Sequence, residues 1–479
     1  MRQKKFYDFL KLKKNVEQQN IGKRFWFLLI VVVGIASYLP FIIKTEFFTN
    51  DAYYYLSLAQ QIIEKKYYLE QYRHLRFMPF YPFLIFFIKQ LSWGFLNYIQ
   101  SAKLLSVLIL LASSFLVFRM VLSLSQNYFI SLISFLMCLF LPIFLLASGQ
   151  IFSELPLTLL GLLVFWSVLN EKKYLPWIFT GIALLTRYEA YFLVPALIYW
   201  RRKKPREVIV GLGIIFLMIS PWLIFIFRNL GEFIAFSYPI ELFRQKHAGA
   251  GFLFYMLISL SPMVIILGGF GIYFLKSPLR SFLLIYLGGY IAIHLYWYAL
   301  SPRFILPIAP FFILGTGLFF NQIGKEYKRR IIFRLLIFLT FLSLFICNFY
   351  IYQSLKKFSY DPKKRILEAV LTIDPSPIII SNIDPQICRW YKVKSYSILN
   401  YHKSDPYLWV VERYLKDQAR YLVWAKWDNF SIYYFPELAE LQYSKKLKFQ
   451  GKFFLLTLYP VRFLKDKQTI LFAIEVKKL

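Results

Sequence analysis

Long apolar runs dominate the pattern of hydrophobic and polar positions along the chain. Several are close to the 20 residues that an α-helix needs to cross the hydrocarbon core of a bilayer. The predicted spans are 25–43, 98–118, 127–147, 152–169, 207–227, 252–275, 279–300, 303–321 and 331–353. The pattern therefore predicts a polytopic α-helical membrane protein.

Basic residues mark the ends of the runs that alternation places on one side. Lys23 and Arg24 precede the first run, so we expect a cytoplasmic N-terminus. The other basic positions predicted on that side are Arg119, Lys172–Lys173, Arg201–Lys204, Lys276–Arg280 and Lys325–Arg330. The opposite side then receives a large first loop, 44–97, a short turn near 148–153 and a loop at 228–251.

The segment 174–200 breaks this alternation, because it has basic clusters at both ends. Two ends on one side require an even number of crossings, and the segment is too short for two full spans. We predict two short half-helices that fold back on each other, with the bend at Thr186 to Glu189. Non-helical backbone at this depth is tolerated only inside protein or beside a water-filled cavity.

The last 125 residues, 355–479, differ from the rest. Short β-rich runs, such as PIIIS and TILFAIEV, alternate with polar stretches that have helical periodicity. We expect two domains: a multi-span membrane domain at 1–354 and a small extramembrane α/β domain at 355–479, on the outer side.

Composition agrees with a membrane class. Of 479 residues, 58% are hydrophobic and only 17% are charged, below the usual quarter. The formal net charge is +32, and basic residues cluster at the ends of the apolar runs, so we expect membrane lipids, and not nucleic acid, as the counterpart of this charge. Three cysteines and four histidines show no metal-binding or disulfide spacing. The N-terminus lacks the features of a cleavable signal peptide.

The first outer loop contains the first candidate site. It opens with TNDAYYYLSLAQ, in which Asp51 and Tyr54 stand at the start of a predicted helix. Asp51 could cap that helix, and the tyrosines could belong to an interfacial aromatic belt. Further on, YRHLRFMPFYPFLIFF contains Arg76 and Tyr81, where the basic residues could simply anchor lipid headgroups.

Other ionisable residues lie at the outer ends of the later runs. Glu154 opens a span, where capping alone would explain an acid. Arg187 and Glu189 flank the break in 174–200, and a structural ion pair is the alternative to a functional one. Arg244 lies in the third outer loop, and Arg303 follows a Ser-Pro turn. Carboxylates and arginines on one bilayer surface suit group transfer from a lipid phosphate.

The ordered set of these motifs resembles the GT-C superfamily of membrane glycosyltransferases. The motifs are the Asp-Tyr start of the first outer loop, RFMPFYPFL, SGQIFSELPL, GIALLTRYEAYFLVPALIYW and SPRFILPIAP. The resemblance is greatest to the branch with protein O-mannosyltransferases and lipid A aminoarabinose transferases. SPIIISNIDPQICRWY also looks like the outer domain of bacterial relatives.

The resemblance implies an inverting transfer of a sugar from a polyprenyl-phosphate donor at the outer face of a bacterial cell membrane. Asp51 matches the acid that acts as base or orients the acceptor, and Glu154 matches the second-loop acid approximately. We expect Tyr54, Tyr81, Arg76, Arg187, Glu189, Arg244 and Arg303 to bind substrate. The acceptor is a glycan, a lipid or a protein. Ala52 follows Asp51 where many relatives have a second acid, which weakens the case for a metal at this position; we expect no required cofactor, with a divalent metal as the open alternative.

Two other functions fit parts of the pattern. A transporter or flippase for lipid-linked sugars would explain a broken helix and charges at membrane depth. The large first loop, the added outer domain and the lack of repeated halves argue against it. A non-catalytic subunit of a glycan-assembly complex is the third possibility.

Overall fold

The structure is a computed structural model. It describes residues 31–45, 49–62, 77–230, 249–296, 301–325, 330–358, 362–381, 385–397, 406–425, 447–450, 454–463 and 469–478. Contacts divide the chain into two compact units. The first comprises Met1–Thr45 and Leu58–Lys356, and the second comprises Glu46–Ser57 and Lys357–Leu479. Arg76 and Arg244 lie outside the described residues.

Helices make up the described part of the chain up to residue 358. They are α1 (Val31–Lys44), α2 (Asn50–Gln61), α3 (Phe80–Leu91), α4 (Tyr98–Ser125), α5 (Tyr128–Leu139), α6 (Pro142–Ser148), α7 (Glu154–Leu169), α8 (Leu175–Leu184), α9 (Leu193–Arg201), α10 (Pro205–Leu230), α11 (Gly249–Leu260), α12 (Pro262–Tyr273), α13 (Ser277–Tyr296), α14 (Ala309–Gly324) and α15 (Arg330–Phe358). Two short 3₁₀ helices lie at Tyr188–Phe192 and Pro302–Ile305.

Within the described ranges, four helices are long and apolar enough to cross a membrane: α4, α10, α13 and α15. The count rises to six if the bent pairs α5–α6 and α11–α12 each form one span. Other predicted spans are shorter helices, such as α7 and α14 with 16 residues each. Both are mostly buried against other helices. The predicted class is confirmed: the chain is a multi-pass integral membrane protein.

Two predicted spans, 127–147 and 252–275, are broken in the structure. α5 and α6 meet at 52°, and the α11–α12 pair bends by 89°. Proline begins the second helix of each pair, at Pro142 and Pro262. Proline lacks the N–H that would continue the helix, so it favours a new start. At the sharper bend Ser261 has a positive φ of 71°, and its hydroxyl accepts a hydrogen bond from the Val264 N–H.

Asparagine side chains cap the first turns of α4 and α5. The Asn97 side chain accepts from the Gln100 N–H at 2.9 Å, and the Gln100 side chain accepts from the Asn97 N–H at 2.8 Å. This reciprocal pair is a capping box at the start of α4. α4 ends at Gln126, in the left-handed conformation, and Asn127 then caps α5.

Glycines allow α12 and α14 to pack backbone to backbone. A Cβ added to Gly271 would lie 1.7 Å from the Gly315 carbonyl oxygen, and one added to Gly268 would lie 2.4 Å from the Phe312 carbonyl oxygen. Gly269, next to this contact, would meet nothing within 4 Å. Small residues at helix contacts are a common way for membrane helices to approach closely. Here they hold together two of the helices on which the first unit is built.

The second unit contains a mixed six-stranded sheet among its described residues. The strands are β1 (Ile378–Ser381), β2 (Lys394–Ser397), β3 (Tyr421–Ala425), β4 (Leu447–Gln450), β5 (Phe454–Phe463) and β6 (Thr469–Lys478). Their order is β2-β1-β3-β6-β5-β4. The β2–β1 and β1–β3 pairs are parallel, and the β3–β6, β6–β5 and β5–β4 pairs are antiparallel. The helices are α16 (Pro362–Ile373), α17 (Pro385–Trp390) and α18 (Pro406–Asp417). The predicted α/β class of this segment is confirmed.

Candidate functional site

Four charged residues of the first unit form one buried cluster, which we call the charge cluster: Glu154, Arg187, Glu189 and Arg303. Arg187 Nη1 lies 3.0 Å from Glu154 Oε1, and Arg303 Nε lies 3.2 Å from the same oxygen. Arg187 also holds Glu189 through two hydrogen bonds, Nε to Oε2 at 3.0 Å and Nη2 to Oε1 at 2.5 Å. All four were predicted as site residues, and the structure brings them together.

The four charged side chains of the cluster are largely buried, which strengthens the interactions between them. The side chains of Glu154 and Glu189 are 0% and 5% exposed, and those of Arg187 and Arg303 are each 14% exposed. Two carboxylates and two guanidiniums balance in formal charge, as buried ions must if they are to avoid a large desolvation cost. The cluster as a whole is therefore neutral, and the arginines retain a narrow opening to solvent.

Glu154 lies in the first turn of α7, where the helix dipole favours an acid. Its ion pairs are short, yet neither of its carboxylate oxygens forms a hydrogen bond of good geometry within the described part of the chain. The two observations agree if the contacts are Coulombic and the angles poor. Both oxygens are closed off from solvent, so the contacts with Arg187 and Arg303 are what neutralises the Glu154 charge within the described residues. Ser153, which sequence reasoning missed, accepts a hydrogen bond from Arg187 Nη1 at 2.8 Å.

The predicted fold-back of 174–200 is what places Arg187 and Glu189 in the cluster. α8 and α9 are separated by the first 3₁₀ helix, and the two ends of the segment meet: Arg201 Nη2 donates to the carbonyl oxygens of Glu171 and Lys172, at 3.2 and 3.4 Å. Arg187 has extended backbone at the bend, φ −156° and ψ 147°, so it leaves the helical path. The half-helix prediction is confirmed.

Aromatic rings surround the guanidinium groups. The Arg303 Cζ atom lies 5.1 Å from the Phe304 ring centre and 5.9 Å from that of Phe152. The Arg187 Cζ atom lies 5.8 Å from the same Phe304 ring. Phe304 and Phe152 were not predicted as site residues. In the sequence, only their positions next to Arg303 and next to Ser153–Glu154 could have indicated that they belong to the site. Many phenylalanines in this chain flank polar residues, so this position does not single them out.

An apolar cavity of about 400 Å³ adjoins the bend of the hairpin. Ile62, Pro79, Phe80, Phe83 and Leu185 line it, and the Phe80 N–H donates to the Leu185 carbonyl at 3.0 Å. Leu185 is two residues before Arg187. A cavity of this size and lining suits part of an apolar ligand.

The candidate residues of the first outer loop have different surroundings. Asp51 and Tyr54 are half-buried in α2 and belong to the second unit, whereas the charge cluster belongs to the first. Asp51 lies in the first turn of α2, a position that also suits helix stabilisation. Tyr53, between them, is completely buried, and its hydroxyl lies 3.4 Å from that of Tyr391. Tyr81, in α3, is fully buried.

The described residues offer few groups that could bind a metal ion. No group of three or more His, Cys, Asp or Glu side chains there is placed to hold a metal ion. The carboxylates of the charge cluster instead face guanidinium groups.

The fold of the chain is of the GT-C type. The chain is similar to the structure of ArnT from Cupriavidus metallidurans bound to undecaprenyl phosphate, with a TM-score of 0.64, 12% identity and coverage of 94% of this chain and 98% of that one. The same protein in the apo state gives a TM-score of 0.61.

A second solved structure shares the fold. The Archaeoglobus fulgidus oligosaccharyltransferase in complex with Zn and sulfate gives a TM-score of 0.58 at 13% identity, covering 88% of this chain and 72% of that one. A scan against protein-family models and a search of curated proteins each find no match. The likeness therefore establishes the fold, as the sequence motifs predicted.

Proposed function

We propose that this chain is an integral-membrane glycosyltransferase that moves a sugar from a polyprenyl-phosphate donor to an acceptor, with inversion, at the outer face of the cell membrane. One observation carries the proposal: two guanidinium groups converge on the buried Glu154 carboxylate, and Leu185, on the same hairpin as Arg187, lines an apolar cavity. A lipid phosphate combines the two properties that such a site would recognise. The GT-C-type fold, shared with a structure that holds undecaprenyl phosphate, supports the same ligand class.

The chemistry of transfer explains why two arginines are useful. An acceptor hydroxyl or amine attacks the anomeric carbon, its proton passes to a base, and the bond from that carbon to the phosphate oxygen breaks. The phosphate leaves with the bonding electrons and gains one negative charge. Guanidinium groups stabilise that growing charge and hold two phosphate oxygens at once. We assign this role to Arg187 and Arg303.

Glu154 then has an orienting role in the proposal. Its contacts at 3.0 and 3.2 Å join the two arginines through one carboxylate oxygen, so it sets the direction of both side chains. Glu189 holds the opposite side of Arg187 through its bidentate pair. An incoming phosphate meets arginines whose geometry is already fixed, which lowers the entropy cost of binding.

Asp51 is our candidate for the base or acceptor-orienting group. A carboxylate can take the proton of the attacking group, and such groups contribute roughly 10²- to 10⁴-fold in rate. Asp51 is half-buried in the first turn of α2.

The proposal is tested with purified full-length protein in nanodiscs. Polyprenyl-phosphate sugars are supplied with glycan, lipid and protein acceptors, and products are identified by mass spectrometry. We expect transfer that Arg187→Ala and Arg303→Ala each reduce at least tenfold, while Arg202→Ala, an exposed arginine near the end of the same hairpin, has no such effect. The same protein is also reconstituted into sealed vesicles, where movement of the lipid across the bilayer without any sugar transfer would support the flippase alternative instead.

A further inference from the structure

A buried histidine, His294, lies next to the charge cluster. His294, in α13, is 1% exposed and is surrounded by three aromatic rings. Its ring centre lies 4.4 Å from that of Tyr290, 5.5 Å from that of Phe252 and 5.0 Å from that of Phe304. These rings come from α13, α11 and the second 3₁₀ helix. His294 therefore joins three separate elements at one point.

The orientation of the imidazole is fixed from its own helix. His294 Nδ1 lies 2.8 Å from the Tyr290 carbonyl oxygen, one helical turn earlier. A carbonyl oxygen can only accept, so Nδ1 carries the proton and donates. This bond restricts rotation of the ring about its side-chain torsions. A leucine or an alanine at this position would offer neither the flat face nor the anchor.

Phe304 connects this histidine to the arginines. One ring, that of Phe304, contacts His294 and also lies within 6 Å of both guanidinium carbons, those of Arg303 and Arg187. Guanidinium groups are attracted to aromatic faces at such distances. If Phe304 moves, both arginines lose the surface against which they pack.

We propose that His294 is a positioning residue for phosphate binding, because its ring holds Phe304, and through Phe304 the guanidinium groups of Arg187 and Arg303, in place. The inference rests on the proposed function, since it names what holds the arginines of that site. His294 acts through packing and not through contact with the substrate. An aromatic ring at position 294 is thus the essential property.

Two variants separate positioning from catalysis by the imidazole. His294→Phe keeps a flat aromatic ring, so we expect undecaprenyl phosphate affinity within about threefold of wild type. His294→Ala removes the ring and should weaken binding about tenfold, the scale of one or two lost aromatic contacts. Because the arginines also stabilise the charge on the leaving phosphate, turnover at saturating donor should fall in His294→Ala and stay close to wild type in His294→Phe. If His294 instead transferred a proton, both variants would lose turnover alike, and the inference would be overturned.

A second readout requires no lipid ligand. Phenylglyoxal modifies exposed arginines, and mass spectrometry reports the rate at each one. We expect Arg187 and Arg303 to react at least fivefold faster in His294→Ala than in wild type, and close to the wild-type rate in His294→Phe. The control is Phe135→Ala, which removes another buried ring, between α4 and α5. Equal reactivity in His294→Ala and wild type would overturn the positioning role.

The two failures are distinguishable. If wild type binds no polyprenyl phosphate while the arginine reactivities change as expected, the proposed ligand is wrong and the positioning role stands. If Arg187→Ala and Arg303→Ala weaken lipid binding but His294→Ala does not, the proposed function stands and His294 has only a structural role.

Discussion

Arg187 and Glu154 form an ion pair at 3.0 Å, although Glu154 begins α7 and Arg187 lies in extended backbone at the bend of the 174–200 hairpin. The same Arg187 Nη1 atom donates to Ser153 at 2.8 Å, so one nitrogen contacts two successive residues at the start of α7. The hairpin of 174–200 is thereby fastened to α7 at its bend. Both residues are largely withdrawn from solvent, which makes the pair energetically coupled.

The first prediction follows from that coupling. Arg187→Ala leaves two buried carboxylates with one fewer cation, which we expect to cost about 3 kcal/mol of unfolding free energy. Glu154→Gln in the same protein removes part of the excess charge. The double variant should therefore lose less stability than the sum of the single variants, by about 1 kcal/mol or more. Unfolding in mixed SDS micelles measures all four proteins. Strict additivity would mean that the pair is not coupled.

A second prediction concerns Asp51. Asparagine has nearly the size and shape of aspartate, so Asp51→Asn in the first turn of α2 should fold normally and lose only the small helix-dipole contribution of the charge. Without the carboxylate, sugar transfer should fall by roughly a hundredfold or more if Asp51 is the base. A role limited to stabilising the first turn predicts the reverse: normal transfer in Asp51→Asn, and a stability loss of at most about 1 kcal/mol in Asp51→Asn and Asp51→Ala. Initial rates and thermal unfolding, measured on the same preparations, decide between them.

The third prediction is topological. Because the two ends of the 174–200 hairpin meet, Lys173→Cys and Lys203→Cys should be labelled from the same side of the membrane. We expect that side to be the cytoplasm. Lys416→Cys, at an exposed position of α18, should react with an impermeant maleimide from outside. The background protein has its three native cysteines replaced by serine. Labelling of positions 173 and 203 from opposite sides would contradict the hairpin.

The fourth prediction uses the glycine contact between α12 and α14. Gly271→Ala would place a methyl group 1.7 Å from the Gly315 carbonyl oxygen, so the helices must separate. We expect a loss of about 1 to 3 kcal/mol, typical of overpacking. Gly269→Ala is the matched control on the same helix, where the added methyl group meets nothing within 4 Å. Its melting temperature should equal or exceed that of wild type. Equal losses in both variants would point to a glycine effect unrelated to the contact.

Part of this structure was readable from the sequence. Basic residues at both ends of 174–200 and the polar break between them predicted the hairpin, because charge placement and span length constrain topology directly. The bend of the α11–α12 pair was missed, since an apolar run of the right length also fits one straight helix, although Pro262 was a warning.

For the charge cluster, the sequence predicted the side of the membrane on which the residues lie, but not which of them pair. Glu154 and Arg303 each stand at the outer end of a run, which placed them on the same side. Which runs are neighbours is decided by helix packing, and a contact such as Gly271 with Gly315 is invisible without three dimensions. Phe304 and His294 escaped notice for the same reason, because their importance comes from what they touch.

The ion pairs that Glu154 forms with two arginines have a consequence for the synthesis and membrane insertion of the protein. α7 is synthesised before either of its arginines, which follow at positions 187 and 303. At a translation rate of about 5 to 20 residues per second, Arg187 emerges roughly 2 to 7 seconds after Glu154, and Arg303 roughly 7 to 30 seconds after it. A nascent α7 thus carries an acid whose first counter-ion arrives only with the bend of the hairpin. We therefore expect α7 to insert stably into the bilayer only after the hairpin bend has been synthesised. The order of these residues along the chain would then determine the order in which the helices insert.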